Sequence, residues 1–258
     1  MKEDTKITAS LPKGTKDYWG RELALKKKLL IAIEDNFKRY GFSPLQTSPM
    51  ELSSIIGNSL SEDESNPMSD VFTFDEDGEQ ISLRYDLSVP LSRFYSQNYL
   101  TLPNPYKRYQ IAESVFRREK PGSGRYKAFG QCDCDIIGNF NSSIANAELC
   151  NLIASTLLNC GLKKNQFIIN ISNRKIVQGL MDELKITDEK QRQKVLRGID
   201  KLDKPGFGLK GVEELLKEKR IDSSGAVTIG AKLDNSKASE IINILKTKDL
   251  DELKSNLK

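Results

Sequence analysis

The densest run of chemistry-bearing residues lies between Tyr106 and Gly138, spelled YKRYQIAESVFRREKPGSGRYKAFGQCDCDIIG. Two strands joined by a basic loop are expected here. The first, around Ala112–Arg118, ends in the doublet Arg117-Arg118. The loop from Lys120 to Lys127 holds Pro121, Gly122 and Gly124, residues that punctuate hairpin connections. The second strand alternates. Phe129, Gln131, Asp133 and Asp135 share one face, while Cys132, Cys134 and Ile136 share the other. A ring, an amide and two carboxylates in a row are unusual for a solvated strand, because like charges on one face repel unless a cation sits among them. Two interpretations fit. In one, Arg117, Arg118 and Arg125 neutralise the acids of a wet sheet face. In the other, the face is a ligand floor: guanidinium groups bind phosphate, the ring stacks on a base, and Gln131 and Asp135 bind an ammonium or N–H group.

Other elements must hold that hairpin. Apolar residues at Leu25, Leu29, Ile33 and Phe37, with Leu30 beside them, predict an amphipathic helix over 21–40, ended by Gly41. An extended segment with two prolines follows over 42–50. Residues 58–70, NSLSEDESNPMSD, are acidic and serine-rich, and are expected to form a mobile loop that orders when ligands bind. Strands over 71–74 and 80–84 flank a turn at Asp75–Gly78. The second should deliver Arg84, Asp86 and Ser88 to one face. Asp86 with a hydroxyl two residues on suits a substrate ammonium, and a turn or helix cap competes for it. Helices are expected over 89–95 and 142–159, and a strand over 166–172 from its β-branched content. Further helices follow over 174–184 and 189–202, a break at 205–208, then weakly amphipathic helices over 211–219 and 236–245. Composition shifts from sheet-and-helix to charged and helical near 165–185.

Composition narrows the chemistry. The 258 residues suffice for a sizeable core, and 38% hydrophobic against 29% charged residues place the chain among soluble globular proteins. Forty basic and 36 acidic residues give a net charge of +4, which neither requires nor excludes nucleic acid. Histidine is absent, which excludes Ser-His-Asp and Cys-His catalysis and mixed Cys/His zinc sites. Cys132, Cys134, Cys150 and Cys160 lack the paired spacing of an all-cysteine zinc site, so buried thiols in a reducing compartment, and no metal site, are expected. No signal peptide or apolar run of membrane-spanning length is seen, which points to a cytoplasmic protein with no membrane association.

The hairpin also resembles motif 2 of the class II aminoacyl-tRNA synthetases in the form used by the histidyl-tRNA synthetase family: FRRE, a short loop with GRY, then AF-x-Q-C-D-x-D-I-x-G. Leu83–Pro90, LRYDLSVP, resembles that family's amino-acid-binding segment, with Ser88 where threonine is usual. Leu11–Asp17, LPKGTKD, is similar to its N-terminal P-x-G-T-x-D signature. The long helix and proline-bearing strand resemble motif 1, the family's dimer interface.

The resemblance implies an α+β class II synthetase catalytic fold: an antiparallel sheet flanked by helices over 1–173, then a partial helical insertion over 174–258. It implies that Arg117 holds the α-phosphate of ATP and the substrate carboxylate as they react. Glu119 and Arg125 would flank the nucleotide, and Phe129 would stack on adenine. Asp86, Leu87, Ser88 and Gln131 would lie at the histidine α-ammonium, and Asp135 would accept from the imidazole. The implied reaction forms histidyl-adenylate from L-histidine and Mg²⁺-ATP, then transfers the acyl group to tRNA(His), in a homodimer. Positioning and electrostatics carry such chemistry without a protein nucleophile. A run like RGLDYYTG, motif 3 and an anticodon-binding domain are not seen. The chain is therefore expected to be the N-terminal part of such an enzyme, unable alone to complete aminoacylation. A synthetase-like regulatory subunit of ATP phosphoribosyltransferase is the alternative, and a plain scaffold is a third reading.

Overall fold

A computed structural model of the protein describes residues 8–57, 68, 70–171, 173–204, 206–221, 225, 227–247, 251–252 and 255. Most of the acidic 58–70 loop therefore lies outside the described residues. The chain divides into two compact units, residues 1–169 and 170–258. Among the described residues no helix is long and apolar enough to cross a membrane.

The first unit opens with helix α1 (Gly20–Arg39). Its end is set by Gly41 at φ +76°, where the Gly41 N–H donates to the Lys38 carbonyl and the Phe42 N–H to that of Phe37. This crossed pair satisfies two orphan carbonyls and brings Phe42 against Phe37 in the core. Short strands β1 (Ser43–Pro44) and β2 (Met50–Leu52) and the single turn α2 (Ser53–Ile56) follow. Next come β3 (Thr73–Glu76), β4 (Glu79–Leu83), α3 (Ser88–Asn98), the long strands β5 (Tyr106–Phe116) and β6 (Ala128–Ile137), and α4 (Ser142–Asn159). The order β1-β5-β6 makes one sheet, with β5–β6 antiparallel and β1 added parallel; β2-β4-β3 makes an antiparallel second. The two meet where the Phe116 N–H donates to the Arg84 carbonyl at 2.9 Å. Strand β3 runs two residues beyond expectation. Asp77 and Gly78 at φ +50° and +84° make a two-residue turn whose twist matches the strands, so Asp75 and Glu76 pair within the ladder.

The core of this unit lies between the sheet and the helices. Tyr109, Ile111, Cys132, Cys134 and Ile136 pack against Phe37, Phe42, Leu149 and Leu152. A buried polar lock joins α1 to α4. Asn36 Nδ2 donates to Ser155 Oγ at 2.9 Å and Thr156 Oγ1 at 2.7 Å, while its carbonyl accepts from Asn159 Nδ2 at 3.0 Å. Leu25 and Leu29, expected on the core side, are instead 52% and 46% exposed. At about 1.5 Å rise per residue, α1 outruns the packed region around Phe37. Its first half stands off Phe129–Cys132 across an open cleft of about 510 Å³. The expected strand over 166–172 is not formed across 166–171: Ile168 and Ile171 are 85% and 79% exposed. β-branched content favours a strand only where an edge is available to pair with it.

The second unit has its own core. Helices α5 (Arg174–Glu183), α6 (Glu189–Ile199), α7 (Gly208–Leu216) and α8 (Asn235–Lys246) surround Met181, Ile186, Val195, Val212, Leu216 and Ile241, with a hairpin of β7 (Lys219–Ile221) and β8 (Val227–Ile229) beside α7. Asn173, Asp188 and Asp234 accept from backbone N–H groups at three of the helix starts. The last two helices are more amphipathic than their lysine and glutamate content suggests. Val212, Leu215 and Leu216, and Ala238, Ile241 and Ile242, repeat at helical spacing and are buried. The β7–β8 hairpin has too little alternation to read in sequence, because each strand has three residues.

Replacing Asn36 by alanine leaves the α1–α4 seam without its donor. Chemical denaturation should report a loss of about 2 kcal/mol, with the far-ultraviolet spectrum of the folded state unchanged.

Candidate functional site

The charged residues within the β5–β6 ladder are placed by register. Arg108 lies opposite Asp135, Gln110 opposite Asp133, and Ala112 opposite Gln131. Cross-strand partners project to the same side, so these six residues form one face, and the thiol-lined face behind them is the core. Beyond Ala112 the register slips. Glu113 and Ser114 stand against the single Gly130, and pairing resumes as Val115 with Phe129. This β-bulge leaves the alternation of β6 intact and moves that of β5 by one residue. Val115 thereby joins the polar side, beneath Phe129 with Leu87 and Ala112. Two residues on, Arg117 joins it as well. Without the bulge, Phe116 and Arg118 would take those places. Arg84 holds the bulge, its Nε donating to the Ser114 carbonyl at 3.0 Å and its Nη1 to the Thr47 carbonyl at 3.2 Å. At Gly130 a side chain would press on the Ala112 carbonyl, 3.3 Å from the Cβ position.

The Arg117 guanidinium lies over the rings of Tyr85 at 4.4 Å and Phe129 at 5.1 Å, and no carboxylate pairs with it among the described residues. Tyr85 Oη donates to Glu119 at 3.1 Å, and Glu119 forms an ion pair with Arg125. The structure thus brings Arg117, Glu119, Arg125 and Phe129 together, and adds Tyr85, which sequence reasoning missed although it stands inside LRYDLS. The N-terminal segment closes over the loop: the Lys127 N–H donates to the Gly14 carbonyl at 2.7 Å. Gly14 sits at φ +86°, and a Cβ there would lie 2.9 Å from Lys127 Cγ and 3.1 Å from Pro121 Cβ, so glycine alone fits.

The segment after β4 departs from expectation. The strand ends at Leu83, so Arg84, Asp86 and Ser88 do not share a strand face. Arg84 turns to the bulge. Asp86 Oδ1 accepts from the Val89 N–H at 3.0 Å and caps α3, so the helix-cap alternative describes one of its oxygens. Ser88 is the first residue of that helix. Leu87 is fully buried in the core under Phe129, so its side chain cannot meet a ligand. Its carbonyl accepts from Gln110 Nε2 at 3.2 Å, while Gln110 Oε1 accepts from Thr47. Through Gln110 the sheet fixes the start of α3.

The floor is electrostatically crowded. Burial lowers the pKa of Arg108, opposed first by Asp135 and then by Asp133. Burial raises the carboxyl of Asp133 above its ordinary 3.8; Arg108 offsets part of this, while Asp135 and Asp86 add to it. Behind the floor, burial and then Asp135 push the Cys134 thiol up to about 11, so it is an inert core group.

A family model described as histidyl-tRNA synthetase matches residues 14–231. The histidine–tRNA ligase of Pelagibacter ubique is 61% identical over 258 residues, 100% of this chain and 55% of that protein. That of Ruegeria pomeroyi is 38% identical over 255 residues, 97% of this chain and 50% of that protein. The chain spans about half the length of the curated relatives it matches. Two solved structures share its fold. Histidyl-tRNA synthetase from Nostoc superposes with a TM-score of 0.73 at 24% identity, over 98% of this chain and 52% of its own. An ATP phosphoribosyltransferase regulatory subunit/histidyl-tRNA synthetase from Bacillus halodurans gives 0.72 at 17%, over 97% and 62%.

A carboxyl whose pKa is raised by folding binds its proton more tightly when folded. It adds stability below 3.8 and loses that contribution as pH rises through its folded value. Asp133→Asn imitates the protonated form. Its thermal midpoint should exceed that of the wild type at pH 7, and the gain should vanish on acidification below 3.8. A lower midpoint at pH 7 would show that Arg108 outweighs burial at this carboxyl.

Proposed function

The chain belongs to the histidyl-tRNA synthetase family, and on that premise we propose that it binds L-histidine and ATP on the β5–β6 floor for adenylate formation. The observation that carries this is Arg117: a guanidinium held over two rings, with no carboxylate partner among the described residues, beside Phe129 and in line with Gln131 and Asp135. A cation stored on ring faces can exchange them for a stronger partner at small cost, because a cation–π contact contributes about 0.5–2 kcal/mol whereas a bidentate phosphate contact is charge-assisted.

In this reading Arg117 moves to the α-phosphate and the substrate carboxylate, and the Phe129 face becomes free to stack on adenine. Arg125 and Glu119 flank the nucleotide. Mg²⁺ would ride on the phosphates, with Glu119 the one carboxylate of the loop. Gln131, the second oxygen of Asp86 and the Ser88 hydroxyl surround the α-ammonium, and Asp135 accepts from the imidazole. Leu87 supports these groups from below. Reaction follows from alignment: the histidine carboxylate attacks the α-phosphorus, pyrophosphate leaves, and Arg117 stabilises charge on the phosphoryl oxygens. Transfer to tRNA(His), a homodimer formed through α1 and the strand after it, and a cytoplasmic setting belong to the same proposal. Transfer to tRNA(His) rests on the histidine–tRNA ligases that the chain resembles, and the homodimer and the cytoplasmic setting rest on the family resemblance of the sequence.

A thermal-shift titration tests it. Histidine should raise the midpoint where another amino acid does not, by about 2.7 kcal/mol of stabilisation at a hundredfold excess over Kd. Mg-ATP should strengthen the shift, and Arg117→Ala should remove that strengthening and also reduce the response to histidine alone, since the same guanidinium meets the substrate carboxylate. No shift with either ligand would sink the reading.

A further inference from the structure

Arg108 has no part in the roles above, yet among the described residues it is the largest side chain with essentially no exposure. It stands directly opposite Asp135 in the β5–β6 ladder and forms an ion pair with it. None of its three guanidinium nitrogens meets hydrogen-bond geometry with any described group, and Asp135 Oδ2 and Gln131 Oε1 share that condition. The acidic groups around it are Asp135 and Asp133, both from β6. Tyr106 and the Cys134 thiol complete its charged and titratable surroundings. A guanidinium is not retained dry without a compensating anion. Asp135 supplies it from one oxygen only. Oδ2 is buried against Arg108 while the side chain as a whole is 37% exposed, so Oδ1 is the oxygen left facing outward.

We propose that Arg108 is a positioning residue for the amino-acid pocket, acting through Asp135. By engaging Oδ2 from beneath, it fixes the carboxylate plane so that Oδ1 is presented to a ring N–H of the substrate. Its positive charge is set against the two carboxylates of β6, Asp135 and Asp133. The inference rests on the histidine-binding reading and deepens it, since it says why an imidazole, rather than any ring of that size, is selected. A site built around a hydrogen-bond acceptor rejects an isostere without the donor, because the acceptor is left unpaired.

The test compares histidine with β-(2-thienyl)alanine, whose ring is similar in size and carries no N–H, by calorimetric titration of the 258-residue protein. Arg108→Met should weaken histidine binding by about tenfold or more, the loss of one well-placed charged hydrogen bond, and leave thienylalanine affinity within about twofold. Arg108→Lys should restore part of the difference, and Asp135→Asn should reproduce the loss. Equal weakening of both ligands, or a lower thermal midpoint with discrimination intact, would make Arg108 a structural staple and overturn the proposal. If the wild type binds neither ligand, the synthetase reading itself fails. The pairing is then judged without ligand by a double-mutant cycle of unfolding free energies for Arg108→Met and Asp135→Asn. Additive effects would overturn it as well, and strong non-additivity would support it. Should Arg108→Met not fold, Arg108→Lys and Asp135→Asn read the same contact from its two sides.

Discussion

The structure depends on the period of two along β5 and β6, and on the single place where that period is broken. Alternation sorts the hairpin into an oily back and a polar front without any further instruction. Uninterrupted pairing would carry Arg117 to the back, into the layer with Ile111 and Cys132, where a guanidinium has no partner. The bulge at Glu113–Ser114 turns the last residues of β5 over by one position. The rest of the first unit can be read as support for that turn. Arg84 is spent on the bulge carbonyl, Gly130 makes room for the doubled strand, and Leu87 with Val115 fills the volume beneath Phe129.

That support explains why two residues with suitable chemistry serve as scaffolding. Arg84 and Gln110 each carry groups that could meet a ligand, yet every contact they make ties one backbone segment to another. A site that works by alignment needs rigid loops behind it, because small misplacements of reacting groups are expensive. Glu51 plays the same part further out. Its carboxylate, almost fully buried, accepts from Arg93 Nε at 2.6 Å and Nη2 at 2.8 Å and clamps α3 to β2.

Much of this was legible in the sequence, for a definable reason. Strict alternation over seven residues of β6, the glycine after α1, and the glycine–proline loop are local signals, and each was realised. So was the core face made by Cys132, Cys134 and Ile136. Several of the misses involve partners distant in sequence. Arg108 reads as one more basic residue in YKRYQ; only pairing with Asp135, 27 positions on, shows it to be buried. Tyr85 owes its place to Arg117, and the bulge depends on Arg84. Ile168 and Ile171 show the converse, because β-branched residues with no edge to join stay irregular and exposed. Leu25 and Leu29 have the right spacing for a core, but spacing says nothing about where the partner surface stops.

The two halves of the floor differ in how prepared they are. The acidic half is set: Asp135 is gripped by a buried guanidinium, Gln131 is stationed opposite Ala112, and Asp86 is pinned by the first turn of α3. The cationic half is engaged with itself. Arg117 rests on Tyr85 and Phe129, and Arg125, 66% exposed, rests on Glu119, 18% exposed. An ion pair with its guanidinium in solvent and a ring-held guanidinium are both readily exchanged. A small zwitterion therefore meets preformed partners, whereas a polyphosphate must displace internal ones and gains charge-assisted contacts in return. Under the proposed function, the amino-acid pocket would owe its selectivity to rigidity built into the sheet, and the nucleotide side would owe its response to side chains that the sheet only presents.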